Sequence, residues 1–207
     1  MTLLLRTLER DPKYAWERMQ AHRLCKGIME VAPQLFPRSL VMSLVAIADC
    51  AQDEFRKVCL DTLRELVLLN TDIVASCNAV KYLVDAILHP DCQDMYKSLT
   101  LTILYLLDQE ATRKSLRPSL DLQKLWSVFT DTDAPDGPEK EGRKKTASEA
   151  LVMMMRSWTG ILSLASDEYG LKSLIKTMAL PEKVKGSAWA RVSFFCNCLV
   201  MLKGCCF

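Results

Sequence analysis

Two histidines, nine cysteines and a few carboxylate pairs are what this 207-residue chain offers for acid–base, nucleophilic or metal chemistry. A general acid or base must lie within hydrogen-bond reach of the proton it moves, and a nucleophile needs a base beside it. His22 falls on the polar side of a helical pattern, and His89 falls at a helix end before Pro90. Neither has a cysteine or carboxylate at triad or metal spacing. Asp61 and Glu65 stand one helical turn apart, but lysine and arginine surround them, so they read as surface charge. The seven glycines form neither GxGxxG nor GxxxxGK(S/T), which leaves no cradle for a nucleotide cofactor. No catalytic residue, no cofactor and no metal are expected.

The cysteines include no CxxC pair and no Cys/His set at zinc spacing. Cys25, Cys50, Cys59 and Cys77 sit in apolar helical stretches, and Cys92 follows a proline turn. They read as buried free thiols in a reducing compartment. Cys196 and Cys198 would need distant ligands to hold a metal. Met153, Met154 and Met155 read as core filling on a broad apolar face. Trp16, Trp126, Trp158 and Trp189 read as wedges between helices, with Arg156 turned outward beside a buried Trp158 ring.

What remains is the frame that would position such residues. Half of the chain is hydrophobic, a quarter is charged, and the net charge is +2. That is a globular composition with no electrostatic footprint for nucleic acid. Three leucines after Met1 are too few for a signal peptide. The uncharged run between Arg191 and Lys203 is far shorter than the ~20 residues of a membrane span. Gly204 stands where a prenylation box needs cysteine.

The frame is helical throughout. A helix is predicted from about Tyr14 to Ala32, with Ala21, Leu24, Cys25, Ile28, Met29 and Ala32 as its apolar stripe. Pro33 ends it, and Pro37 opens a nearly all-apolar helix to Asp49. Asp53, Thr71-Asp72 and Asp94 start further helices, and Pro118 to Asp121 leads into another. Onsets near Trp16, Asp53 and Asp94 lie about 40 residues apart, the period of armadillo and HEAT repeats. The predicted fold is all-α, an armadillo/HEAT-like superhelix of stacked antiparallel helices. Residues 1–130 form its N-terminal repeats. Residues 131–145, acidic then basic, form an exposed charged loop. Residues 146–207 continue the repeats into a divergent tail, opening on a capping box at Thr146–Glu149 and running on through Leu171, Leu174, Ile175 and Met178. Ile28→Ala and Leu83→Ala should each cost about 2–5 kcal/mol if both lie in packed core.

Two blocks carry a resemblance. Glu17-Arg-Met-Gln-Ala-His-Arg-Leu-Cys continues through Val31-Ala-Pro-Gln-Leu-Phe-Pro-Arg-Ser-Leu to Leu44-Val-Ala-Ile-Ala48. Arg156-Ser-Trp-Thr-Gly-Ile-Leu-Ser-Leu is followed by Gly170-Leu-Lys-Ser-Leu-Ile175 and Pro181. With Thr102-Ile-Leu-Tyr-Leu-Leu107 between them, they resemble the N-terminal domain of the Rictor family, the rapamycin-insensitive companions of TOR kinase. The resemblance implies a non-catalytic scaffold of TOR complex 2, partnered by TOR kinase and a Sin1-like subunit. It implies a cytoplasmic chain that meets membranes only through that complex. Rictor-like chains are far longer, and the tract after Pro181 departs from the family, so the chain reads as a fragment or truncated form. The alternative is a generic armadillo/HEAT-type adaptor for unrelated protein partners. Partner-binding residues stay unknown at this level.

Overall fold

The computed structural model describes residues 2–116, 121–130 and 137–166. Among these residues every regular element is helical, as the spacing of apolar residues requires. The chain divides into two compact units, Met1–Leu83 and Val84–Phe207.

The first unit holds α1 (Thr2–Leu8), α2 (Ala15–Val31), α3 (Arg38–Asp49), α4 (Arg56–Leu69), α5 (Thr71–Ser76) and the start of α6 (Val80–Ile87). Helix α1 packs on α2 and α3, and α4 packs on α2 and α3. Two helix pairs are therefore stacked, α1–α2 on α3–α4. The α3 segment is buried nearly all round through Leu40, Val41, Leu44, Val45, Ile47 and Ala48, as a sandwiched helix must be. Asn70 caps α5 by accepting from the Ile73 N–H at 3.3 Å. Asn78 then stops α5 with φ of 59°, a left-handed position that asparagine tolerates. The Ala79 N–H reaches Val74 O and the Asn78 N–H reaches Ala75 O, the paired bonds that close a helix end.

A recurring separation marks the repeat. Side chains bond across layers at offsets of 34 residues (Ser43 to Glu9), 35 (Arg18 to Asp53, Lys26 to Asp61, Gln34 to Leu69), 37 (Asn70 to Pro33) and 38 (Arg38 to Ser76). The last turn of a helix leaves carbonyls unpaired, and arginine or glutamine side chains fill that need here. Arg18 Nε donates to Leu8 O, Arg56 Nε to Ala48 O and Gln34 Nε2 to Leu69 O, each at 3.0 Å. Arg38 donates to Ser76 O at 3.2 Å.

The second unit is built from the end of α6, α7 (Tyr96–Asp108), α8 (Glu110–Arg113), α9 (Gln123–Thr130), α10 (Pro138–Met155) and α11 (Trp158–Ser166). Helix α10 packs on α7, α9 and α11. Its core is Leu99, Ile103, Leu106 and Leu107 of α7 with Leu125 and Trp126 of α9 and Ala147, Leu151, Met154 and Met155 of α10. Arg113 Nε donates to Leu107 O at 2.8 Å, closing the end of α7. Gly160 permits the close approach of α11 to α10, since a Cβ there would overlap the Met154 carbonyl oxygen.

Three expectations are corrected. The charged stretch 131–145 is helical from Pro138 onward, so Thr146 lies inside α10 and its hydroxyl bonds back to Gly142 O at 3.0 Å instead of forming a capping box. Residues 138–145 carry no apolar stripe. They form a helix because Pro138 opens it, Glu139 and Glu141 meet its positive end, and Glu141 pairs with Lys144 at 2.9 Å. Second, the apolar row Leu151, Met154, Met155, Trp158, Ile161, Leu162 and Ala165 reads in the sequence as one helix behind Thr146–Glu149, but α10 and α11 are separate helices, broken at Arg156–Ser157. Third, the buried face of α2 is Arg18, Ala21, His22, Cys25 and Met29. Leu24 is exposed and Ile28 is only half-buried, whereas Leu83 is fully enclosed. Leu83→Ala should therefore lose about 2–5 kcal/mol in a urea titration, and Ile28→Ala roughly half as much. Equal losses would mean that α2 is rotated from its observed orientation.

Candidate interaction surface

The residues with chemical potential form a buried cluster in the first unit. Arg18 is 1% exposed and His22 is 2% exposed. Arg18 donates to Asp53 Oδ2 at 2.6 Å, and its guanidinium lies 4.6 Å over the Phe55 ring. The His22 ring stacks on the same Phe55, with centroids 5.2 Å apart and planes 11° apart. His22 Nε2 lies 3.6 Å from Cys59 Sγ. His22 thus has a cysteine partner that spacing along the chain does not reveal, and it faces inward, contrary to expectation. Hydropathy places arginine and histidine outside, but it cannot see that Asp53, Phe55 and Cys59 of the next layer receive them.

This pair is not a nucleophile and base. Thiolate is the reactive form of cysteine, and burial pushes the Cys59 thiol well above its usual range. Burial first, then the charge of Arg18, lowers His22 to about 4. Asp53, whose charge acts on His22, spends Oδ1 on the Phe55 N–H at 2.8 Å and Oδ2 on Arg18. Cys59 is fully enclosed. The arrangement holds layers together instead of exposing a reactive atom.

The shift of His22 has a measurable consequence. Its ordinary value is 6.5, and in the folded chain it is about 4. The unfolded chain takes up this proton first as the pH falls. Stability is therefore complete above pH 6.5 and is lost between 6.5 and 4, with a slope approaching about 1.4 kcal/mol per pH unit. Urea titrations from pH 7 to 5 should show that slope, and His22→Gln should flatten it. An unchanged slope in the variant would remove His22 as its source.

Asp61 and Glu65 are held as surface charge. Lys26 of α2 bridges both at 3.3 and 3.4 Å, and Arg64 pairs with Asp61 at 2.8 Å. Burial of Asp61 opposes its charge, but Arg64 and Lys26 outweigh it and lower its pKa. His89 lies in a cleft of about 380 Å³ with Asp85, Lys124, Ser127, Glu139 and Arg143. Its Nδ1 accepts from the Asp91 N–H at 3.3 Å, capping the turn Pro90–Cys92. Ser127 donates to Lys124 O at 2.9 Å, and Lys124 pairs with Asp85. His89, Ser127, Lys124 and Asp85 therefore already engage neighbours within the unit. No group of three metal-ligating side chains exists among the described residues.

The cysteines follow the expected burial at Cys25, Cys59, Cys77 and Cys92, but Cys50 is exposed just past the end of α3. Met154 and Met155 are core, as the sequence implies, whereas Met153 is only half-buried. The tryptophans split. Trp126 is 2% exposed, while Trp16 and Trp158 are 70% and 66% exposed. Trp158 is therefore no buried wedge. The break before it turns its ring outward with Leu162, which is also exposed. Trp189, Cys196, Cys198 and the stripe from Leu171 to Met178 lie outside the described residues.

Outward apolar residues concentrate on each unit separately. In the first unit, Leu3, Leu4 and Thr7 of α1 and Trp16, Glu17, Gln20, Ala21 and Leu24 of α2 line a groove of about 470 Å³. Val31 and Leu35 are exposed farther along. In the second unit, Leu101 and Tyr105 of α7 and Trp158 and Leu162 of α11 are exposed, and α11 packs on α7. No helix among the described residues is long and apolar enough to cross a membrane.

Stacked helix pairs with a regular offset define an all-α helical-repeat protein. Comparison with known proteins gives its family. The family model described as rapamycin-insensitive companion of mTOR, N-term, matches residues 1–188, and the chain belongs to that family. It is 36% identical over 196 residues to protein pianissimo A of Dictyostelium discoideum, covering 86% of this chain and 17% of that protein. It is 27% identical over 192 residues to the human rapamycin-insensitive companion of mTOR, covering 86% and 11%. It is 22% identical over 177 residues to target of rapamycin complex 2 subunit TSC11 of Saccharomyces cerevisiae, covering 84% and 12%. The chain thus spans less than a fifth of the length of these curated relatives.

Proposed function

We propose that this chain is a non-catalytic scaffold element of TOR complex 2, working in the cytoplasm and assembling with TOR kinase and a Sin1-like subunit. Family membership over residues 1–188 carries this reading. One relative, the yeast protein, is by name a subunit of that complex. The physical arrangement supports it. His22 and Cys59 of the first unit are buried, Arg18 is paired with Asp53, and outward apolar residues offer surface to partners. Repeat proteins bind through such extended surfaces. Affinity purification of the natural protein from its own cells, under conditions that preserve large assemblies, tests the reading. Recovery of TOR kinase with a Sin1-like subunit is the expected result. Recovery of unrelated proteins in their place would overturn it in favour of a general helical-repeat adaptor.

A further inference from the structure

We draw no further inference here: the strongest candidate, the apolar groove between α1 and α2 lined by Leu3, Trp16 and Leu24, carries none because nothing in the structure shows what covers it.

Discussion

Asp53→Ala is expected to cost about 3–5 kcal/mol of unfolding free energy, because it leaves a buried guanidinium without its counter-charge. Arg18 is almost wholly enclosed, and its remaining polar contact is Leu8 O at 3.0 Å. Arg18 Nη1 already lacks a partner among the described residues, so the local site has no spare acceptor to offer. The charge cannot be shed, since arginine stays protonated in proteins. Replacing both partners, Arg18→Met with Asp53→Leu, should recover most of the loss, because buried pairs often do little better than well-packed apolar residues. The measurement is a urea-denaturation cycle of the two single variants and the double. A single-variant cost below about 1 kcal/mol would show that water reaches Arg18 and that the pair is not sealed between the layers. The exposed bridges from Lys26 provide the contrast. Lys26→Ala should change stability by no more than about 1 kcal/mol.

Trp126→Ala is expected to cost about 3–5 kcal/mol, and Trp158→Ala only about 0.5 kcal/mol or less. The two rings have the same size and lie on neighbouring segments of one unit, but only the first is surrounded. Trp126 packs within α9, which lies against α10. Trp158 begins α11 with its ring in solvent. Far-UV circular dichroism of both variants in urea would separate them. Similar costs would mean that Trp158 is covered in solution by something outside the described residues, and its environment could then be read from its fluorescence maximum.

Much of the architecture is legible in the amino-acid sequence. Pro33, Pro37 and Pro90 punctuate the chain where helices begin or end, because each acts through local chemistry that spacing reveals. The apolar row of α3 also stands where the periodicity puts it, and so do Leu99, Ile103, Leu106 and Leu107, which the 3–4 spacing after Asp94 sets on one face of α7. Three things were not legible. The first turns of α10 depend on charge pairing and a proline start, and they carry no apolar stripe to read. The orientation of α2 depends on Arg18 and His22 finding Asp53, Phe55 and Cys59 between 33 and 37 residues away, and a local window cannot contain such partners. The fates of Trp16 and Trp158 depend on where a neighbouring helix stops, which is a tertiary fact. The groove on α1 and α2 was missed for the same reason. Leu24 reads as core in any hydropathy pattern, and α1 is too short to announce itself.

The cross-layer ties have a consequence for how such a chain tolerates sequence change. Those from Gln34, Arg38 and Asn70 end on the main-chain oxygens of Leu69, Ser76 and Pro33. A carbonyl oxygen is present whatever residue occupies its position, so each of these ties exposes only one of its two ends to mutation. Drift at Leu69, Ser76 or Pro33 leaves the acceptor in place, and the alignment of adjacent layers survives as long as the donor is kept. Side chains elsewhere on the layers can then be remodelled for new contacts without the stack losing its place.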